Sequence, residues 1–299
     1  RKEDDVILMD FVCHLTLNMS RAASTVKGQL QGIRWLHIHH GFADPLEGKP
    51  RLRVLRRSIA RRSGVQRKWP VTTRMLRWIF RKMGVETKDH KLLKGAMSLA
   101  WFFLLRLSEY AAHDGQPFDM NKVVRGADIT FRKNGEIVAN GADADEVGIR
   151  IRSSKADIFN AGEWRNHFRS DDPELCVVEA LTMIQREFPQ RFGTGIESDL
   201  PLFRMEDGSP MRRGQIAAWL EMAADAEGYS KERFGSHSLR IGGATALYHI
   251  GMPVEVIKRY GRWASDSFQQ YLWEGSEDSK GLALRMAKDQ SSLMVTRSR

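Results

Sequence analysis

A strongly apolar stretch runs from Ala96 to Leu105 and leads directly into Arg106. Such a stretch predicts a buried helix, and a guanidinium at its end is costly unless it is paired or aimed at an anion. Glu109, one helical turn on, is placed to orient that guanidinium. A fold built on this helix therefore brings a cation to the edge of its core and needs something negative to meet it.

Further groups of the same kind follow along the chain. Two short candidate strands, Asp128 to Arg132 and Glu146 to Ile151, lead through Arg150-Ile151-Arg152-Ser153-Ser154-Lys155-Ala156-Asp157 into turn-forming residues. This places Lys155 on a β-hairpin tip, from which an ammonium can enter a site and protonate a leaving alkoxide. In His237-Ser238-Leu239-Arg240 the histidine and arginine share one helical face, so both can reach one phosphate. Trp263, in Gly261-Arg262-Trp263, adds an indole N–H that can only donate. Tyr271 stands eight positions further, and a phenol delivered to a phosphorus held by these groups makes a phosphotyrosyl ester. No metal is required, because two guanidiniums, a histidine and an indole N–H already meet the charge that develops on the non-bridging oxygens.

The ordered set arginine, hairpin lysine, His-x-x-Arg, tryptophan and tyrosine resembles the tyrosine recombinase and integrase family. The motifs span Arg106 to Tyr271, and the likeness in organisation covers nearly the whole chain. The resemblance implies that Arg106 and Arg240 clamp the scissile phosphate and that Lys155 is the general acid toward the 5′ oxygen. It makes His237 a phosphate ligand and proton acceptor, Trp263 a further donor and Tyr271 the nucleophile. Tryptophan stands where most members carry histidine, which shifts acid–base work to His237 and Lys155, and its spacing to the tyrosine is one residue shorter than in many relatives. The phrasing His-Ser-Leu-Arg-Ile-Gly-Gly-Ala-Thr with Gly-Arg-Trp is similar to recombinases of eukaryotic mobile elements. The resemblance also implies a clamp on duplex DNA, a 3′-phosphotyrosyl intermediate and a DNA-bound tetramer, with Leu282 to Met294 as a helix for docking on a neighbour or packing on its own domain.

Composition agrees with a polyanionic partner. Lys and Arg number 47 against 37 Asp and Glu, a net charge of +10, and no apolar run reaches membrane-spanning length. Cys13 and Cys176 lie far apart without metal-ligand spacing, which suggests a reducing, intracellular compartment and no disulfide framework. The chain opens on Arg1 with no signal peptide visible, as expected of a fragment or a processed product.

The expected fold class is mostly α with a small antiparallel sheet: a helical core-binding domain, 1–63, a linker, 64–70, and a mixed α/β catalytic domain, 71–299. Helices are expected from Asp4 to Leu17, from a cap at Ser24 or Thr25 through Leu36, and from Pro50 to Arg62. The third is densely basic, and Arg56, Arg57, Arg67 and Lys68 are candidate DNA contacts against the plainer reading of a solvated face. The catalytic domain is expected to begin with helices near Thr73 to Lys82 and Lys88 to Arg106, and to continue past the sheet with Pro173 to Phe188, Arg212 to Ala226 and His237 to Ile250. Gly242 and Gly243 in the last of these suggest close backbone approach. Trp164, Trp219 and Trp273 are read as core or packing residues, Asp143 and Asp145 as solvated, and His37, His39 and His40 as a patch lacking a second ligand pair. Tyr248 and Tyr260 are rival nucleophiles whose plainer reading is a structural hydroxyl. A topoisomerase of the same chemistry and a non-catalytic DNA-binding descendant remain open as alternatives.

Overall fold

The computed structural model describes residues 2–63, 67–84, 87–153 and 162–274. Lys155 and the segment 282–294 lie outside the described residues. The chain divides into two compact units, 1–67 and 68–299.

The first unit is helical. α1, Lys2–Cys13, runs on as a π-helical turn, His14–Asn18, and is followed by α2, Ala23–His39, and α3, Pro50–Ser63. Apolar residues spaced three and four apart, Leu8, Val12 and Leu15 on the first helix and Val26 and Leu30 on the second, meet Leu52 of α3 in one core. α3 begins on proline, whose fixed φ and missing N–H suit a first helical position. With Leu52, Leu55 and Ile59 turned toward the core, Arg51, Arg53, Arg57, Arg61 and Arg62 are exposed and Arg56 is half-buried. The start of α2 differs from expectation: Ala22 is its cap, with no side-chain cap bond, so Ser24 and Thr25 stand inside the first turn.

The second unit is built on helices around a small antiparallel sheet. α4, Thr73–Met83, is capped by Thr72, whose hydroxyl accepts from the Met75 N–H at 3.2 Å. α5, Lys88–Phe102, is capped in the same way by Thr87. The sheet has the order β2-β1-β3-β4, with β1 Ile129–Lys133, β2 Glu136–Val138, β3 Glu146–Ile151 and β4 Glu163–Phe168. α6, Val177–Glu187, α7, Arg213–Ala226, α8, His237–His249, and α9, Val254–Tyr260, complete the helices, and a 3-10 stretch, Asp266–Tyr271, ends on the tyrosine. Central β3 is buried at Val147, Ile149 and Ile151, which join the main core with Leu92, Met97 and Leu99 of α5 and Leu181 and Ile184 of α6.

α5 and α8 approach closely because Gly243 has no side chain. A Cβ there would stand 2.0 Å from the Trp101 carbonyl oxygen, and one at Gly242 would stand 2.1 Å from that of Val71. This close approach, expected from the paired glycines, sets the start of α8 against the end of α5.

Three details depart from the sequence reading. α5 stops at Phe102 rather than Arg106, because Leu104 takes a left-handed φ of +50° that no helix accommodates. Trp164, expected as a core or packing residue, is 53% exposed on the edge strand β4, whose side chains alternate between half-buried and open. Residues 68–70, read as linker, are attached to the second unit: the Trp69 N–H donates to the Arg233 carbonyl, and the Lys68 ammonium donates to the carbonyls of Glu232 at 2.7 Å and Phe234 at 2.8 Å.

Candidate active site

Arg240, in the first turns of α8, is 1% exposed. One terminal nitrogen donates to the Leu104 carbonyl and the other to the Gly261 carbonyl, while its Nε is buried with no partner. Among the described residues no carboxylate pairs with it. A buried cation hydrogen-bonded only to backbone carbonyls lacks a paired carboxylate, and this one retains an unused donor. Burial, followed by the neighbouring charges of Arg262 and Arg106, pushes its pKa down, as expected of a site with surplus positive charge.

Arg106 and Arg262 share the acid Glu109, 1% exposed. Its Oε2 accepts from the Arg106 backbone N–H at 2.8 Å and from Arg262 Nη2 at 2.6 Å, and its Oε1 accepts from Arg106 Nη1 at 3.2 Å. The sequence placed Glu109 one turn from Arg106 as its orienting acid, and the structure brings the two together. The Arg106 side chain stays 24% exposed, so its guanidinium is steadied on one side and open on the other.

Trp263 and Tyr271 pack beside Arg240. The Arg240 guanidinium lies 4.5 Å from the Trp263 ring centre and 5.7 Å from that of Tyr271, and the two rings are 4.8 Å apart. Gly261 makes room for the indole, since a Cβ there would stand 1.6 Å from a Trp263 ring carbon. Leu104, Ala244, Ile257, Trp263 and Phe268 form a small buried cluster against which Tyr271 packs. The Thr245 hydroxyl donates to the Tyr271 carbonyl at 2.9 Å, tying the end of the 3-10 stretch to α8.

His237 opens α8, and its ring meets that of Tyr271 edge-on at 5.2 Å. Desolvation, then the charges of Arg240 and Arg106, push its pKa down to about 4, although the residue as a whole is exposed to solvent. The free imidazole is therefore neutral at physiological pH and able to accept a proton.

The rival tyrosines are engaged elsewhere. Tyr260 donates to the Asn166 carbonyl at 3.1 Å and lies 2.6 Å from His167 Nε2, and its pKa is raised by burial. The Tyr248 hydroxyl donates to Glu274 at 3.3 Å. Arg106, His237, Arg240, Trp263 and Tyr271 thus come together with Glu109. The β3 and β4 strands pair from Glu146↔Phe168 to Ile151↔Glu163, forming the base of the hairpin whose connecting segment carries Lys155. Arg56 and Arg57 belong to the first unit, as does Arg67, while the Lys68 ammonium is a structural tie.

Sequence reasoning assigned no role to Arg262, whose side chain is 1% exposed and whose backbone takes a left-handed φ of +58°. The signal was an arginine inside the Gly-x-Trp motif with an acid upstream, Glu109, already assigned to Arg106. Pattern alone does not say which arginine a carboxylate faces.

This architecture, a mostly helical unit around a four-stranded antiparallel sheet preceded by a helical unit, is the tyrosine recombinase and integrase fold. The chain is similar to the XerH site-specific recombinase in a post-cleavage complex with palindromic difH substrate, with a TM-score of 0.59 and 16% identity over 95% of this chain and 71% of that one. It is likewise similar to the Tn1549 transposon integrase in complex with transposon right end DNA, with a TM-score of 0.55 and 12% identity over 94% and 84% of the two chains. The same integrase with circular intermediate DNA gives a TM-score of 0.51 at 12% identity, over 93% and 84%. No family model matches the sequence, and no curated protein matches it significantly. No helix among the described residues is long and apolar enough to cross a membrane.

Proposed function

We propose that this chain is a DNA recombinase or integrase that breaks and rejoins strands through a 3′-phosphotyrosyl bond at Tyr271. The observation that carries this reading is Arg240, a buried guanidinium with no carboxylate partner among the described residues and an unused Nε–H, lying 5.7 Å from the Tyr271 ring centre. A phosphodiester supplies the missing anion and lies within reach of the phenol.

In the cleavage step the Tyr271 oxygen forms a bond to phosphorus, and the bond from phosphorus to the 5′ oxygen breaks. The phenolic proton passes to neutral His237, and Lys155 delivers a proton to the departing 5′ oxygen. Arg106 and Arg240, with the Trp263 indole N–H, meet the charge on the non-bridging oxygens. Attack by a 5′ hydroxyl reverses the step, so bond energy is kept in the ester and the reaction needs neither ATP nor metal. Double-stranded DNA is the partner, with the arginines of α3 meeting its backbone, and strand exchange takes place in a DNA-bound tetramer. The DNA complexes named for the structural neighbours support a DNA partner, and the Tn1549 integrase supports placement in a mobile element.

The test is a denaturing gel of the protein mixed with nicked duplex DNA carrying candidate target sequences. A covalent adduct is expected for the parent chain and none for Tyr271→Phe, which keeps DNA affinity because it removes one oxygen and little buried area. An adduct that persists in Tyr271→Phe would move the nucleophile elsewhere.

A further inference from the structure

The buried pair between Arg262 and Glu109 has no part in the chemistry above. Both side chains are 1% exposed, and Arg262 Nη2 meets Glu109 Oε2 at 2.6 Å. Arg262 also lies 3.4 Å from the carbonyl oxygens of both Phe103 and Leu104. An ion pair so far from water gives up the hydration of both partners and is weak evidence for a stabilising role. Its placement is more informative than its strength. The Leu104 carbonyl that it approaches also holds Arg240, and so does the carbonyl of Gly261, whose peptide bond leads into Arg262. The carboxylate that it grips is the one that steadies Arg106.

We infer that Arg262 is a positioning residue for both phosphate-binding arginines, acting on Arg106 through Glu109 and on Arg240 through the Leu104 and Gly261 carbonyls. The inference rests on the reading that Arg106 and Arg240 hold the scissile phosphate. No contact with substrate is assigned to Arg262, because its terminal nitrogens are engaged by Glu109 and by the Phe103 and Leu104 carbonyls.

The physical consequence concerns competition for Arg106. A carboxylate and a guanidinium prefer a bidentate fork with two parallel hydrogen bonds. Here Glu109 accepts a single hydrogen bond from the Arg106 guanidinium, at Oε1, because Oε2 is occupied by the Arg106 N–H and by Arg262. Arg262 therefore stops Glu109 from drawing the Arg106 guanidinium into a full ion pair and away from the phosphate. Two left-handed residues, Leu104 at +50° and Arg262 at +58°, lie in this set, and Arg240 and Arg262 both reach the Leu104 carbonyl. Strained conformations of this kind are held where the surrounding structure over-determines them.

The experiment uses the full chain with Arg262→Gln, Arg262→Lys and the double variant Glu109→Gln/Arg262→Gln. Adduct formation is followed in single turnover on nicked duplex, duplex affinity is measured alongside it, and the His237 pKa is measured without DNA by NMR. Arg262→Gln is expected to slow the adduct on the order of 10²-fold, the loss that a displacement of about 1 Å can bring, with affinity unchanged. Its His237 pKa is expected to rise, because Arg106 has moved toward Glu109. The double variant is expected to cleave faster than Arg262→Gln alone, because no carboxylate remains to capture Arg106. Arg262→Lys is expected to recover part of the rate by keeping the charge, and it carries the test if the glutamine variant does not fold. Cleavage by Arg262→Gln at the parental rate would overturn the inference, as would a slow variant whose His237 titration is unmoved and which gains nothing from Glu109→Gln. A parent chain that forms no adduct would instead remove the functional reading, and the His237 titrations would still decide whether Arg262 positions Arg106.

Discussion

α3 and the candidate active site use the same side chain in opposite ways. On α3, Arg51, Arg53, Arg57, Arg61 and Arg62 are exposed and Arg56 is half-buried, on a helix with no acidic residue. In the second unit, Arg240 and Arg262 are buried and Arg106 is partly so, each fixed by carbonyls or by Glu109. Exposed guanidiniums interact over a screening length of about 8 Å at physiological salt and keep their rotamer freedom, so their number matters more than their geometry. Buried ones have lost their hydration and act only where they are pointed. A polyanion can be attracted by the first kind, whereas a single phosphorus needs the second.

The largest expected effect comes from disturbing the buried set. Arg240→Ala and Arg106→Ala are each expected to slow adduct formation on the order of 10²-fold or more, since each removes a charge-assisted donor to the transition state. Arg240→Ala should be the more severe, because it also takes the side-chain donor from the Gly261 carbonyl and leaves that of Leu104 with only the longer contact from Arg262, whereas Arg106 is partly exposed. Single-turnover rates per folded molecule, with folding followed by circular dichroism, check this. If a pair of α3 substitutions reduced the cleavage step as strongly as Arg240→Ala, the distinction between counted and pointed arginines would fail.

What the sequence made legible follows the same division. Apolar spacing predicted α4, α6, α7 and α8 to within a few residues, and the core of the first unit followed from three amphipathic helices. The ordered polar motif picked out Arg106, His237, Arg240, Trp263 and Tyr271, which the structure brings near one another around Glu109. The missed features depend on the path of the backbone. The early end of α5 turns on the left-handed Leu104, a residue type with no preference for that conformation. Arg262 was passed over because nothing in the sequence says that its side chain turns inward. Charge alone marks Lys68 as a candidate DNA contact and does not show that two carbonyls of its own unit accept from its ammonium. Residue type predicts a core or packing role for Trp164, although an edge strand leaves one face open.

The exposed set offers a smaller effect of a different kind. If Arg56 and Arg57 follow the DNA backbone, replacing both with alanine should weaken binding to any duplex about equally. The slope of log affinity against log salt should flatten by about 0.9 for each phosphate that is no longer neutralised. Adduct formation at saturating protein should be unchanged. Affinities measured over a range of salt, on related and unrelated duplexes, check all three. An unchanged slope would make α3 an ordinary solvated face and leave the comparison with only its buried member.

The smallest effect is expected from protons, and it ties DNA binding to the site itself. In the free protein His237 is held down to about 4 by desolvation and by Arg240 and Arg106, so it is neutral at physiological pH. A phosphate between these groups offsets their positive charge and raises the His237 pKa, so the complex binds more protons than the free protein. By linkage, affinity should then rise as pH falls from neutrality toward about 5, by less than tenfold per unit because one group titrates. Folding responds with the opposite sign. The folded pKa is depressed below the ordinary value of 6.5, so the unfolded chain takes up the proton first, and His237 removes stability as pH falls from about 6.5 toward about 4. Acid should therefore weaken the free fold while it strengthens the complex, and His237→Gln should reduce both dependences. Affinity against pH at fixed ionic strength, measured for the parent and His237→Gln, separates this from a general charge effect: titration of the other histidines moves both proteins alike, and only a phosphate seated at Arg240 makes the two slopes differ.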